Sequence, residues 1–142
     1  MKHMENLAKK LLVSYPKLKG MVSYYERFKG ALVKESFHSF TDAEEIIGRV
    51  IDVQVHRARV EFCRSVVKGI LTGMSRELGR VLWLHYCKGM SLGDISMKLN
   101  IARTSVFRRV NRALKIFTEQ IATFEIFREQ DLVLDILKCV VV

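Results

Sequence analysis

The stretch that decides the fold is SLGDISMKLNIARTSVFRRVNRALKIF, residues 91–117. Its first part, 92–99, has the length and the apolar spacing of one short amphipathic helix. Ser91 and Asp94 form a capping pair at the start of that helix. Asn100 is one of the few residues that adopt left-handed backbone at low cost, so it is suited to end the helix. The pattern therefore predicts a short helix followed by a tight turn.

A second helix is predicted to begin near Arg103. Apolar residues recur along it in alternating steps of four and three, and they can form one buried seam: Val106, Val110, Leu114, Phe117, Ile121 and Phe124. The seam fails at Arg128 and Asp131, where we expect a bend or a break. Residues 132–138 are predicted to form a separate helical turn.

The face between the seam positions is strongly basic, because residues 103–115 carry five basic side chains and no acidic one. Arginine contacts phosphate and pairs bidentately with guanine, so this pattern is typical of a helix that lies in the major groove of DNA. A solvated charged face without a ligand is the alternative. The candidate DNA-binding residues are Arg103, Thr104, Ser105, Arg108, Arg109 and Arg112.

These residues resemble region 4 of sigma-70-type factors, especially the extracytoplasmic-function group. The matching positions are Asp94-Ile95, Leu99-Asn100-Ile101-Ala102, Ser105-Val106 and Arg112-Ala113-Leu114, preceded by LGRVLWLHYCKGMS at 78–91. The resemblance implies a helix-turn-helix whose residues Arg103 to Arg109 read a promoter element, with RNA polymerase as a second partner. Asn100 replaces the family's usual glycine, and Ala102 replaces its usual serine cap.

Upstream of this stretch the sequence predicts further helices. A helix over 5–14 is expected to stop before Pro16, since a residue that precedes proline avoids helical backbone. A second helix is predicted over 17–34, followed by a loop over 35–40. The N-terminal half resembles small regulators of phages and mobile elements of Gram-positive bacteria.

A long helix is predicted over 41–71, with Thr41 and Glu44 as a capping box. Its apolar positions include Ile47, Val50, Ile51, Val55, Ala58, Phe62, Val66 and Ile70. Another helix is predicted over 76–88, between a Ser75 cap and a terminating Gly89. The fold class is therefore all-α, with three parts: an N-terminal helical segment (1–72), a region 4-like helix-turn-helix domain (74–125) and a C-terminal tail (126–142).

The composition limits the classes of function that we expect for this protein. The net charge of +9, from 24 basic and 15 acidic residues, favours a polyanionic partner. The three cysteines and four histidines lack metal-ligand spacing, no nucleophile has a recognisable catalytic setting, and no glycine-rich loop could cradle phosphate. We therefore expect no enzyme, no cofactor and no metal. The apolar stretches at both ends are too short for a signal peptide or a membrane span, which predicts a cytoplasmic protein without a membrane partner.

The sequence thus predicts a transcription regulator that binds double-stranded DNA, with a homodimer left open. Contact with RNA polymerase is what the resemblance implies. Two alternatives are a phage DNA-packaging adaptor and a protein-interaction module that no longer touches DNA. We expect Trp83 and Tyr86 to be core residues, and Phe107 to be a core or partner-facing aromatic rather than a base-stacking one. The aliphatic tail must dock on its own chain or on another one.

Overall fold

The computed structural model describes residues 2–38 and 43–128, and within them every regular element is helical, as predicted. The elements are α1 (Lys2–His38), α2 (Ala43–Gly73), α3 (Arg76–Leu82), α4 (Leu92–Leu99), α5 (Arg103–Ile121) and α6 (Glu125–Arg128). A π-helical segment, Trp83–Cys87, continues α3. The predicted cap at Thr41 and the predicted helical turn over 132–138 lie outside the described residues.

Helix α1 runs through Pro16 without interruption. The predicted stop before Pro16 is therefore wrong, and so is the division into helices over 5–14 and 17–34. The predicted loop also begins too early, because α1 extends to His38. The ring of Pro16 lies on the exposed side of the helix.

A tertiary contact explains why the helix tolerates this proline. Proline has no N–H, so the carbonyl of Leu12, one turn earlier, lacks its usual helical partner. The thiol of Cys87 donates a hydrogen bond to that carbonyl, with 3.2 Å between sulfur and oxygen. Burial raises the pKa of Cys87 to about 12, so the thiol keeps its proton at neutral pH. A residue 75 positions away thus satisfies the carbonyl that Pro16 leaves open.

Helix α2 begins and ends close to its predicted bounds and packs antiparallel to α1. Arg57 donates a hydrogen bond to Glu26 at 2.7 Å, and the ring of His56 stacks on that of Tyr25. In the N-terminal part of α1 and the C-terminal part of α2, Leu11 and Val67 belong to the same cluster of buried side chains.

Most of the apolar positions that the sequence shows in α2 are exposed. Four large side chains of that set lie in a row on the surface, and we call this row the outer stripe: Ile47, Ile51, Val55 and Phe62. Only Val66 and Ile70 of that set are buried. The residues that contact the core instead include Val53, Val60, Cys63 and Val67. Helix α2 has apolar residues on two faces, and the position of α1 selects the face that is buried.

Two clusters of buried side chains hold the helices together. The main core joins α1, α2 and α5 through residues such as Leu11, Val67 and Phe117, with Leu82 of α3 beside them. A smaller core lies among α3, its π-helical extension, α4 and α5. Within the described residues, no helix combines the length and the apolar character that crossing a membrane requires.

Candidate nucleic-acid interface

Helix α4 has the bounds that its sequence predicts. The Ser91 hydroxyl accepts a hydrogen bond from the Asp94 amide at 3.1 Å and so caps the helix. Asn100 ends the helix in left-handed backbone, with φ at 55°. The Ser96 hydroxyl donates to the carbonyl of Ile101, which ties the connection back to α4. These bonds hold a three-residue turn between α4 and α5.

The smaller core sets how α5 lies against α4. Ile95 of α4 and Val106 of α5 are fully buried. Ile101 in the turn packs against the same cluster, as expected for a residue that fills the angle between the two helices. The other buried residues of the smaller core are Val81, Leu84 and Val110. Because the contacts are apolar and closely packed, the arrangement of the two helices is well defined.

Helix α5 starts where the sequence predicts and ends earlier. Ala102 occupies the N-cap position and makes no side-chain hydrogen bond there, in line with the missing serine. The helix stops at Ile121, so the prediction that the break comes only near Arg128 is wrong. The chain turns after Ile121, and the rings of Phe124 and Phe127 pack against that of Phe62 at centroid distances of 6.0 and 6.3 Å. This aromatic packing favours a turn over a longer helix.

The outward side of α5 carries most of the predicted DNA-binding residues. Arg103, Thr104, Arg108 and Arg112 are exposed, whereas Ser105 and Arg109 are half-buried at the edge. Two exposed residues were missed as candidates: Asn111 and Lys115. The sequence already indicated both residues, because positions 104, 108, 111 and 115 follow helical spacing and so share one face. We call the following set the basic face of α5: Thr104, Arg108, Asn111, Arg112 and Lys115.

Among the described residues, the cations of this face have no carboxylate partner. In residues 2–38 and 43–128, the ion pairs join Lys9 to Glu5, Arg49 to Glu45, and Arg57 to both Glu26 and Glu61. All of them lie on α1 and α2, and none includes a side chain of α5. The positive charge of α5 is therefore directed at solvent and available to a polyanion.

Three aromatic predictions have different outcomes. Trp83 and Tyr86 are partly buried against the two cores, and Trp83 makes an edge contact with Tyr15. Their expected packing roles are confirmed. Phe107 is 54% exposed, so it is not a core residue, and its partner-facing role stays a prediction. Met97 of α4 is still more exposed, at 83%.

The described part of the chain brings no three histidine, cysteine or carboxylate side chains together as metal ligands. Burial raises the pKa of Cys63 to about 11, and that of Cys87 to about 12. Neither thiol is a nucleophile at neutral pH, because the reactive species is the thiolate. The chain matches no family model, no curated protein and no solved structure.

Proposed function

We propose that this protein is a transcription regulator that reads duplex DNA with α5. The observation that carries the proposal is the basic face of α5, whose cations have no carboxylate partner among the described residues. A tight turn and the smaller core hold α5 against the short α4. A DNA-reading helix-turn-helix needs this combination: a helix that can enter the major groove and a first helix that supports it. The cations supply the attraction to phosphate on which binding depends.

The positions on the basic face suggest separate roles. The N-terminal residues of a recognition helix contact base edges, so we assign Thr104, Arg108 and Asn111 to base reading. Arginine pairs bidentately with guanine, and asparagine does the same with adenine. Arg112 and Lys115 lie further along the helix, and we assign them to the phosphate backbone.

The resemblance to sigma region 4 supports RNA polymerase as a second partner. Met97, on the exposed side of α4, is an apolar side chain of the kind that protein interfaces use. We propose that the protein acts beside a sigma factor and does not start transcription alone. The check is in vitro transcription from a selected site. We expect no transcripts with core polymerase and this protein, and transcripts once a housekeeping sigma factor is added.

The direct test of DNA binding removes charge from the basic face. The double variant Arg112→Ala and Lys115→Ala should bind random duplex more weakly, with the slope of log affinity against log salt reduced by about 0.9 per lost phosphate contact. The matched control is Arg27→Ala with Lys34→Ala, which removes the same charge from exposed positions of α1. Equal losses in both variants would mean that only net charge matters, and would overturn the assignment of α5.

The contributions of Arg108 and Arg109 can be compared with each other. Arg108 lies on the exposed face, and Arg109 lies half-buried at its edge. We therefore expect the single change Arg108→Ala to weaken binding more than Arg109→Ala. Selection of bound sites from a random duplex pool would identify the sequence read. Loss of preference at one base position in Arg108→Ala would support base contact, and a uniform loss would indicate a phosphate contact.

A further inference from the structure

The outer stripe of α2 is an apolar surface that the described chain leaves largely exposed. Ile47 and Ile51 are 58% and 54% exposed, and Val55 and Phe62 are about two-fifths exposed. Helical spacing places the four side chains in one row. The opposite side of α2 contacts α1, through residues such as Val53 and Val60. A row of large apolar groups on a helix marks a surface that another segment covers.

One end of this row is already covered by the chain itself. Phe62 packs against Phe124 and Phe127, and the ring of Phe127 is fully buried. Helix α6 ends one residue later, at Arg128. The described chain therefore ends beside Phe62, at one end of the exposed row.

The segment that follows has the composition and the length to cover the rest. Eight of the last eleven residues are Leu, Ile or Val. Leu132, Ile136 and Val140 repeat the four-residue spacing of the outer stripe. At 1.5 Å per residue, the row from Ile47 to Phe62 is about 22 Å long. Residues 129–142 reach about 21 Å even as a helix, and further when extended.

We propose that residues 129–142 dock along the outer stripe of α2 in the same chain, running from Phe62 towards Ile47. The stripe supplies the apolar surface, the aromatic cluster at Phe62 supplies the starting point, and the tail supplies matching aliphatic side chains. The proposal does not depend on DNA binding, because the basic face of α5 is a different surface.

A photo-crosslinking experiment on the full-length protein tests the docking. Benzoylphenylalanine in place of Ile51 should form a crosslink to residues 129–142 within one chain, read by mass spectrometry of the monomer band. The matched control places the same group at Arg49, which is exposed on another side of α2, and should not capture the tail. A crosslink between two chains would show that a second copy covers the stripe. That result, or no crosslink to the tail, would overturn the proposal.

A second variant asks whether the aliphatic side chains make the contact. Leu132→Asp with Ile136→Asp should abolish the crosslink from position 51, since a carboxylate is costly on an apolar surface. Gln130→Asp adds charge to the same segment outside the repeating positions and should leave the crosslink in place. Persistence of the crosslink in the double variant would overturn the proposed register. Far-UV circular dichroism checks that both variants remain folded.

Discussion

The α4–α5 region and the α1–α2 pair contrast in how far local sequence determines their structure. In α4–α5, the cap at Ser91, the left-handed Asn100 and the helix start at Arg103 all lie where the pattern predicts. In α1–α2, the pattern predicts a break that is absent at Pro16. It also does not show which apolar side of α2 is buried, since Ile47 and Ile51 are exposed.

The contrast separates features that nearby residues determine from features that packing against distant residues determines. Short helices depend on their ends, and a capping side chain or a left-handed residue acts within a few positions of the chain. Long helices depend on the surfaces against which they pack. Cys87 satisfies the carbonyl that Pro16 leaves open, and contacts with α1 select the buried side of α2. In both cases the contacting residues lie far apart in sequence.

The largest expected effect comes from comparing alanine substitutions of two phenylalanines on α5, one buried and one exposed. Phe117→Ala should lower the free energy of unfolding by about 3–5 kcal/mol, because its fully buried ring joins α5 to the core of α1 and α2. Phe107→Ala, at an exposed position of the same helix, should change it by about 0.5 kcal/mol or less. Urea unfolding measures both. Comparable losses of stability in the two variants would mean that Phe107 is buried in solution, and would contradict the assignment of the outward face of α5.

The contact between Cys87 and Leu12 can be broken and repaired. Cys87→Ala should cost about 1–2 kcal/mol, because it leaves a buried carbonyl without a partner. Pro16→Ala restores the helical N–H that this carbonyl lacks. It should therefore stabilise the Cys87→Ala variant more than it stabilises the original protein. A double-mutant cycle by urea unfolding gives the coupling. Additive effects would show that Cys87 does not compensate for the proline.

The N-cap position of α5 lacks a capping side chain, and supplying one should stabilise the protein by a smaller amount. Ala102→Ser should raise the free energy of unfolding by about 0.5–1 kcal/mol, since position 102 is the N-cap and has no side-chain hydrogen bond. Ala122→Ser, at the other end of the same helix, is the matched control and should give no such gain. A lower melting temperature for Ala102→Ser would place the helix start elsewhere.

The weakest expected effect is a dependence on alkaline pH. Burial raises the pKa of Cys87 from the usual 9.0 to about 12, so the folded state favours the protonated thiol. Its contribution to stability is complete below pH 9 and is lost as the pH rises towards 12. The stability difference between the original protein and Cys87→Ala should therefore narrow above pH 9. A constant difference from pH 7 to pH 10.5 would contradict the raised pKa.

The sequence by itself determined the all-α class, the bounds of α4, the start of α5 and the composition of its basic face. Each follows from spacing, a cap or a left-handed residue, and these act over one or two helical turns. Asn111 and Lys115 could have been found in the same way, from their helical spacing with Thr104 and Arg108.

Tertiary structure decided the continuity of α1, the buried side of α2 and the end of α5. A proline in a helix is tolerated when another group satisfies the open carbonyl, and here that group comes from Cys87. A helix with two apolar faces buries the one that its neighbour contacts, and α1 makes that choice for α2. The packing of Phe124 and Phe127 on Phe62 ends α5 at Ile121. These outcomes depend on contacts between residues distant in sequence, and helical periodicity carries no information about which distant residues meet.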